Sequence, residues 1–330
     1  MAAAERGRVT TPVDLVTHLF RGTGERVAVT GASGWFGSVA LDLLYEAFGD
    51  EAPTLVTAYA SRPRELVVAD GRRLQLLPLG ELGSQDPAPT TLLHFAFLTR
   101  DKVEALGVEA YTSQNLAITL TVLDAIAKHR PRRVVVASSG AVRSDTGRLV
   151  SDLRTNPYGA LKHLDELAFR AATLQVGGVC VIPRVFSVAG PRMTKPGLYA
   201  LGEMIQMAAA GGPIEVRAQG PVYRSYCGVD EVVALALWAA HAGREIGFDS
   251  GGTVVEVGEL GAVVAQVHGL TPDAVHRTWD PTVAAERYVG DGSAMEALAA
   301  EAGLPLRSLP DLVRETAAWL EATGSAGDAS

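Results

Sequence analysis

The feature that most restricts the fold of this chain is a glycine turn, Gly31-Ala-Ser-Gly34-Trp-Phe-Gly37, set between a β-branched run and a helical pattern. Arg26–Thr30 (RVAVT) reads as a short buried strand, and Ser38–Phe48 carries apolar residues at helical spacing. Further strand-like runs stand at Thr54–Ala60, Leu74–Leu79, Thr91–Phe97, Arg133–Ser138 and Val179–Arg184. Long helical stretches at Glu109–His129 and Tyr158–Leu174 separate the last of them. Strands that alternate with helices predict an α/β fold, a doubly wound parallel sheet covered on both faces. Upstream, Thr10–Arg21 predicts a short helix capped by Thr11 with Pro12 as its first residue, within an N-terminal extension over 1–25. Beyond Arg184 the alternation loosens, with Gly-Pro punctuation at 190–213 and a helix at Glu231–Ala242 among short strand candidates.

Composition narrows the class. The chain has 330 residues, 48% hydrophobic and 20% charged, as in globular proteins with ample length for a large core. Lys and Arg number 29 against 37 Asp and Glu, and the net charge of −8 argues against nucleic acid as a partner held by the overall field. The opening MAAAERGRVTTP has no uninterrupted apolar stretch and no later segment approaches a membrane span, so we expect no membrane partner and a cytoplasmic location. Two cysteines, Cys180 and Cys227, make no disulfide framework and fit a reducing compartment. The histidines show no paired-ligand spacing, and no metal site is expected.

The chemistry lies in a few short segments. The glycine turn lets backbone N–H groups and a helix N-terminus approach a pyrophosphate, which marks 26–184 as a dinucleotide-binding domain; a turn built only for tight packing would use the same glycines. After the second strand, Ser61 and Arg62, with Arg64 close behind, stand where a carboxylate would hold the ribose hydroxyls of NAD. A Ser-Arg pair suits the 2′-phosphate of NADP, because guanidinium matches phosphate geometry, unless these are ordinary loop charges. Glu81 and Leu82 follow the third strand as a candidate contact for the adenine amino group. Tyr158 and Lys162 lie four residues apart and share a helical face. A phenol near pKa 10 needs a neighbouring cation to work at neutral pH, so Lys162 is expected to push Tyr158 toward ionisation; a chance surface pair is the plain alternative. Upstream, VVVASSG ends a strand in two hydroxyls, Ser138 and Ser139, at the edge where open α/β sheets bind ligands. A serine there can polarise a carbonyl beside the tyrosine.

Taken in order, these segments resemble the extended short-chain dehydrogenase/reductase family, of the NAD-dependent epimerase/dehydratase type that modifies nucleotide sugars, from about Arg26 to Ala322. VTGASGWFG is similar to its cofactor loop, LLHFAF to its H-x-A-A segment (His94 and Ala96), and SQNLAITLTVLDA to its asparagine helix (Asn115). VVASSGAV is similar to its Ser/Thr segment, NPYGALK to its Tyr-x-x-x-Lys helix, PRVFSVAGP to R-x-x-N-x-x-G-P and YRSYCGVDEVVAL to R-D-F-x-x-V-D-D. The closing pattern, from Tyr288-Val-Gly-Asp through GLPLRSLPDLVRETAAWL, resembles the family's last helix. The resemblance implies a Rossmann-type fold with a C-terminal α/β substrate-binding region; the loosened alternation itself reads as a smaller region over 185–322 that lends elements back to the first domain, and the GSAGDAS end as a disordered tail over 323–330. The resemblance implies cofactor contacts from Gly31, Ser33, Gly34, Trp35, Phe36, Gly37, Ser61, Arg62, Glu81, Leu82, Ala96, Lys162 and Pro183. Catalytic roles fall to Ser139, Tyr158, Lys162 and Asn115, and substrate contacts to Ser138, Ser139, Ser187 and Arg224, the last on a diphosphate.

The departures from the pattern refine the expectation. Ser187 replaces the family asparagine, Gly228 replaces a frequent His or Tyr, and the Ser139 stretch lacks the acidic pair of 4,6-dehydratases, which argues against elimination of water. We expect an NADPH-dependent ketoreductase of a nucleotide-linked 4-keto sugar. The alternatives are a 4-epimerase that retains NAD, a ketoreductase of a non-sugar natural product with a pocket remodelled at Ser187 and Gly228, and a cofactor sensor without turnover. The resemblance further implies a homodimer through Glu109–His129 and Tyr158–Leu174, with Leu116, Leu120, Leu123, Leu161 and Leu164 available unless they face the protein's own sheet.

Overall fold

The computed structural model describes residues 9–144 and 146–324. Helix α1 (Pro12–Phe20) starts at Thr11, whose hydroxyl accepts the Asp14 N–H while the Asp14 carboxylate accepts the Thr11 N–H. There follow β1 (Val27–Thr30), α2 (Trp35–Phe48), the single turn α3 (Ala52–Leu55), β2 (Val56–Ala60), β3 (Arg64–Val67), β4 (Arg73–Pro78), β5 (Thr91–His94) and the short α4 (Val103–Leu106). Next come α5 (Val108–His129), β6 (Arg133–Val136), β7 (Ser138–Ser139), α6 (Pro157–Gln175), β8 (Val179–Val185), β9 (Ser187–Ala189), α7 (Ala200–Ala209), β10 (Ile214–Val216) and β11 (Val222–Gly228). The chain ends through α8 (Val229–His241), β12 (Ile246–Asp249), β13 (Thr253–Glu256), α9 (Val257–Val267), β14 (Val275–Arg277), β15 (Glu286–Tyr288), α10 (Ser293–Ala302) and α11 (Leu309–Gly324).

The main sheet runs β12-β8-β6-β5-β1-β2-β4-β3, with β7 extending the pairing on β8, and every pairing is parallel except β3 with β4. Alternate residues of one strand face opposite cores. Ala28, Leu92, Val134 and Val136 pack with Phe169 of α6 and Ile126 of α5, while Val29, Leu93, Val135 and Val181 join the core that holds α2 and α8. The chain leaves β1 for β2 on one side and returns to β5 on the other. This is the Rossmann-type doubly wound arrangement, and its change of direction opens a crevice at the carboxyl end of β1. A smaller sheet, β13-β11-β15 with β9 on β11, and the pair β10–β14 follow. Strand β12, reached only after β11 and α8, lies parallel to β8 and forms one edge of the main sheet.

Three details differ from the sequence reading. Residues 54–55 belong to a helical turn rather than a strand, because Pro53 suits the first positions of a helix. Strand β3 was not expected; it is an exposed, charge-bearing edge strand without a buried face. Thr323 and Gly324 belong to α11, and residues 325–330 of the expected tail lie outside the described residues. Helix α1 packs on α2 and α8, with Phe20 buried against Phe48 and His241 at ring distances of 5.2 and 4.7 Å. Among the described residues, no helix is long and apolar enough to cross a membrane.

Candidate active site

The turn after β1 has the shape its glycines allow. Gly31 takes φ +68°, and a Cβ there would lie 2.5 Å from the Ala96 nitrogen; a Cβ at Gly37 would run into the Gly31 carbonyl oxygen. The segment after β5 and the start of α2 therefore touch the turn itself. Gly34 caps α2 without a side-chain partner, and the Trp35 and Phe36 N–H groups of the first turn are left for an anion. This cradle fits a pyrophosphate. The Trp35 and Phe36 side chains point elsewhere: the indole donates to the Pro191 carbonyl at 2.7 Å, and the Phe36 ring packs on Phe95. Of the other expected cofactor contacts, Ser61 and Arg62 are exposed just after β2, and Glu81 is exposed in the 3-10 turn that follows β4. Leu82 and Pro183 are buried; the Leu82 carbonyl bonds His129, and Pro183 lies in register with Phe248.

Strand β7 delivers Ser139 to the crevice. Helix α6 is capped by Asn156, whose Oδ1 accepts the Gly159 N–H at 2.9 Å. It packs so closely that a Cβ at Gly159 would overlap the Ala141 carbonyl. Tyr158 is thus brought near Ser139, whose hydroxyl favours the ionised phenol. Ser139 Oγ also lies 3.2 Å from the Tyr288 hydroxyl and accepts the Ala141 N–H. A cleft of about 380 Å³ opens beside the phenol, lined by Arg100, Val103, Glu104, Thr155, Asn156 and Pro157.

Burial pushes the Tyr158 phenol up to about 12, with the Ser139 hydrogen bond and the Arg100 cation pulling the other way. The expected push toward ionisation is therefore reversed in the free protein. Lys162 is itself buried; its Nζ donates to the Ala137 carbonyl at 2.8 Å and lies 3.9 Å over the Phe97 ring. Burial lowers its ammonium to about 8, against the pull of Asp165 and Glu166.

The remaining expected site residues divide between cleft and scaffold. Asn115 is fully buried and has both amide groups engaged: Oδ1 accepts the Leu98 N–H at 2.8 Å and Nδ2 donates to the Tyr111 carbonyl. It positions the loop after β5 and does not face the cleft. Ser138, expected to touch substrate, instead donates to Glu166 at 2.6 Å inside a buried network in which Glu166 takes two bonds from Arg184. His94 holds β5 to β1 through Thr30 Oγ1 at 2.8 Å, and burial keeps its ring neutral, with a pKa near 3.

Ser187 lies in register with Tyr226 across β9 and β11. Arg224 pairs with Glu286 at 2.6 Å and sits 5.9 Å from the Tyr288 ring. Gly228 does not enlarge a substrate pocket: a Cβ there would strike the guanidinium of Arg307, which bridges Asp230, Glu231 and Glu315.

Tyr288, Phe97 and Arg100 were not among the expected site residues. Tyr288 comes from β15, far along the chain, and local spacing carries no signal for it. Phe97 did have one, since it fills the last position of an H-x-A-A segment that otherwise ends in a small residue.

The same order of strand, turn and helix recurs in known proteins. The UDP-glucose 4-epimerase of Corynebacterium glutamicum is 29% identical over 174 residues, covering 50% of this chain and 52% of that protein. The enzyme of the same name from Azospirillum brasilense is 33% identical over 180 residues, covering 50% and 49%. The chain thus matches about half the length of these curated relatives. Among solved structures, the UDP-N-acetylglucosamine 4-epimerase of Methanobrevibacter ruminantium aligns with TM-score 0.73 at 19% identity, covering 91% of this chain and 99% of that one. The Thermus thermophilus UDP-glucose 4-epimerase, solved with NAD, aligns with TM-score 0.67 at 22% identity, covering 90% and 99%. The sequence profile of one family extends over residues 27–258, from β1 through the glycine turn and the Tyr-Lys helix to the start of α9. With that span matched and the crevice built as described, the chain belongs to the NAD dependent epimerase/dehydratase family.

Proposed function

We propose that the protein is an NADPH-dependent ketoreductase of a nucleotide-linked 4-keto sugar. The observation that carries this reading is the grouping of two phenols, Tyr158 at the cleft and Tyr288, around the buried Ser139 hydroxyl. A carbonyl oxygen set there would meet a hydroxyl that holds it and a phenol that is in its protonated form at neutral pH. The dinucleotide, when bound, supplies the hydride that becomes the new C–H bond. Tyr158 gives its proton to the carbonyl oxygen as C=O becomes C–OH, and regains one from solvent. The turn at Gly31, Gly34 and Gly37 would hold the pyrophosphate, Lys162 the nicotinamide ribose, Ser61 and Arg62 the 2′-phosphate, and Arg224 the substrate diphosphate. No carboxylate stands at the end of β2 before Glu65, which supports NADP over NAD.

A second reading, a 4-epimerase that retains NAD, is favoured by the names of the curated relatives. Incubation with a dTDP- or UDP-linked 4-keto sugar and NADPH is expected to consume one NADPH per alcohol formed, followed by absorbance at 340 nm. Interconversion of UDP-glucose and UDP-galactose without added cofactor would instead establish the epimerase.

A homodimer is part of the proposal. Helices α5 and α6 pack side by side and expose Leu120 (60%), Leu164 (44%), Leu167 (59%) and Leu174 (47%), while Leu161 turns inward. A second copy presenting the same stripe would cover them. Leu120→Glu with Leu167→Glu is expected to give a folded monomer in light scattering; an unchanged mass for the variant would dismiss this interface. The two buried, unpaired thiols Cys180 and Cys227 suit the cytoplasm.

A further inference from the structure

Phe97 touches both members of the Tyr-Lys pair. Its ring lies 3.9 Å from Lys162 Nζ and meets the Tyr158 ring edge-on at 5.7 Å and 79°. The backbone beside it is fixed: the Leu98 N–H is held by Asn115 and the Leu98 carbonyl by the Tyr111 hydroxyl at 2.6 Å. The ring itself is only half-buried and also meets the Tyr111 ring at 6.5 Å and 76°. The Lys162 ammonium has three N–H donors. One serves Ala137, and the aromatic face covers the side toward Phe97. A desolvated ammonium on an aromatic face is held more firmly than an exposed one.

We propose that Phe97 is a displaceable cap on Lys162, which must turn aside before ribose hydroxyls can reach the ammonium, so that this one side chain sets the affinity for the dinucleotide. The inference rests on the assignment of Lys162 to the nicotinamide ribose. It makes Phe97 a specificity residue: a ligand that offers hydroxyls to Lys162 displaces the ring, and one that does not leaves the cap in place. Asn115 and Tyr111 keep the ring over the ammonium by holding the adjoining peptide at Leu98, and the second amide group of Asn115 ties it to the Tyr111 carbonyl within α5.

The test is direct binding of NADPH and NAD to the full-length protein by calorimetry. Phe97→Ala is expected to lower the Kd about tenfold, the scale of a buried cation–π contact. Phe97→Leu, which keeps bulk but loses the π face, should fall between, and it carries the test if the Ala variant does not fold. In a Lys162→Met background the gain from Phe97→Ala should vanish, because the capped charge is gone. An unchanged or weaker Kd in Phe97→Ala, or an equal gain without Lys162, overturns the cap. If neither wild type nor variant binds a dinucleotide at millimolar concentration, the cofactor assignment itself falls, and the cap with it. Wild-type binding with no gain in the variant sinks the cap alone.

Discussion

Tyr158→Phe should reduce turnover by about 10²- to 10⁴-fold while leaving dinucleotide affinity within a factor of about two. The substitution removes one oxygen from a helix whose cap at Asn156 and packing at Gly159 it does not touch. Without that oxygen, the carbonyl held by Ser139 has no proton donor on the α6 side. Tyr288 reaches the same serine from β15, so Tyr288→Phe is the necessary companion. If Tyr158→Phe keeps more than a tenth of the activity and Tyr288→Phe does not, the donor is Tyr288 and the assignment is wrong. The pH profile adds a check. The Tyr158 phenol, raised to about 12, stays protonated well past neutrality, whereas Lys162, lowered to about 8, loses its charge first. With Lys162 in its proposed role at the nicotinamide ribose, kcat/KM should fall as pH rises through about 8, and Lys162→Arg should move that limb upward.

Glu166→Ala is expected to destabilise the fold by about 3–5 kcal/mol, seen as a drop in Tm on the order of 10 °C. Glu166 accepts two bonds from Arg184, at 2.8 and 2.7 Å, and one from Ser138 at 2.6 Å, with little of the carboxylate exposed. Its removal leaves the guanidinium with Asp249 at 3.6 Å and Ser138 without an acceptor. The loss comes from an uncompensated buried charge rather than from the worth of the pair. Hence Glu166→Leu combined with Arg184→Met should recover most of the stability. A single variant that melts within about 3 °C of wild type would show that the network holds nothing. Because Ser138 adjoins Ser139, the same loss should loosen the hydroxyl proposed to hold the carbonyl and raise KM less than it lowers kcat.

Much of the fold was legible because the strands are short, β-branched and separated by long helices. Arg26–Thr30 and Thr91–Phe97 needed trimming only at their ends, and Thr11 and Pro12 marked the start of α1. β3 was missed because an exposed edge strand shows no apolar periodicity. In the site, Ser139, Tyr158 and Lys162 could be read from local motifs, since β7 and α6 are near neighbours in sequence. Electrostatics could not. Whether Lys162 acts on the phenol depends on where Phe97 and the Ala137 carbonyl stand, and spacing along a helix is silent about both. Ser138 and Ser139 illustrate the same limit: adjacent strand residues face opposite ways, so one hydroxyl meets Tyr288 and the other a buried ion pair. Tyr288 was beyond reach because its partner is 149 positions away.

The placement of β12 beside β8 has a consequence for biosynthesis. While the polypeptide is being made, β8 leaves the ribosome with one flank bare, and that flank stays open until Asp249 has followed. A nascent chain in this state offers unpaired amides and carbonyls to any neighbouring polypeptide. Holdase chaperones should therefore engage the interval between the two strands, and a product terminated after Val185 should aggregate rather than fold into a half-sized protein.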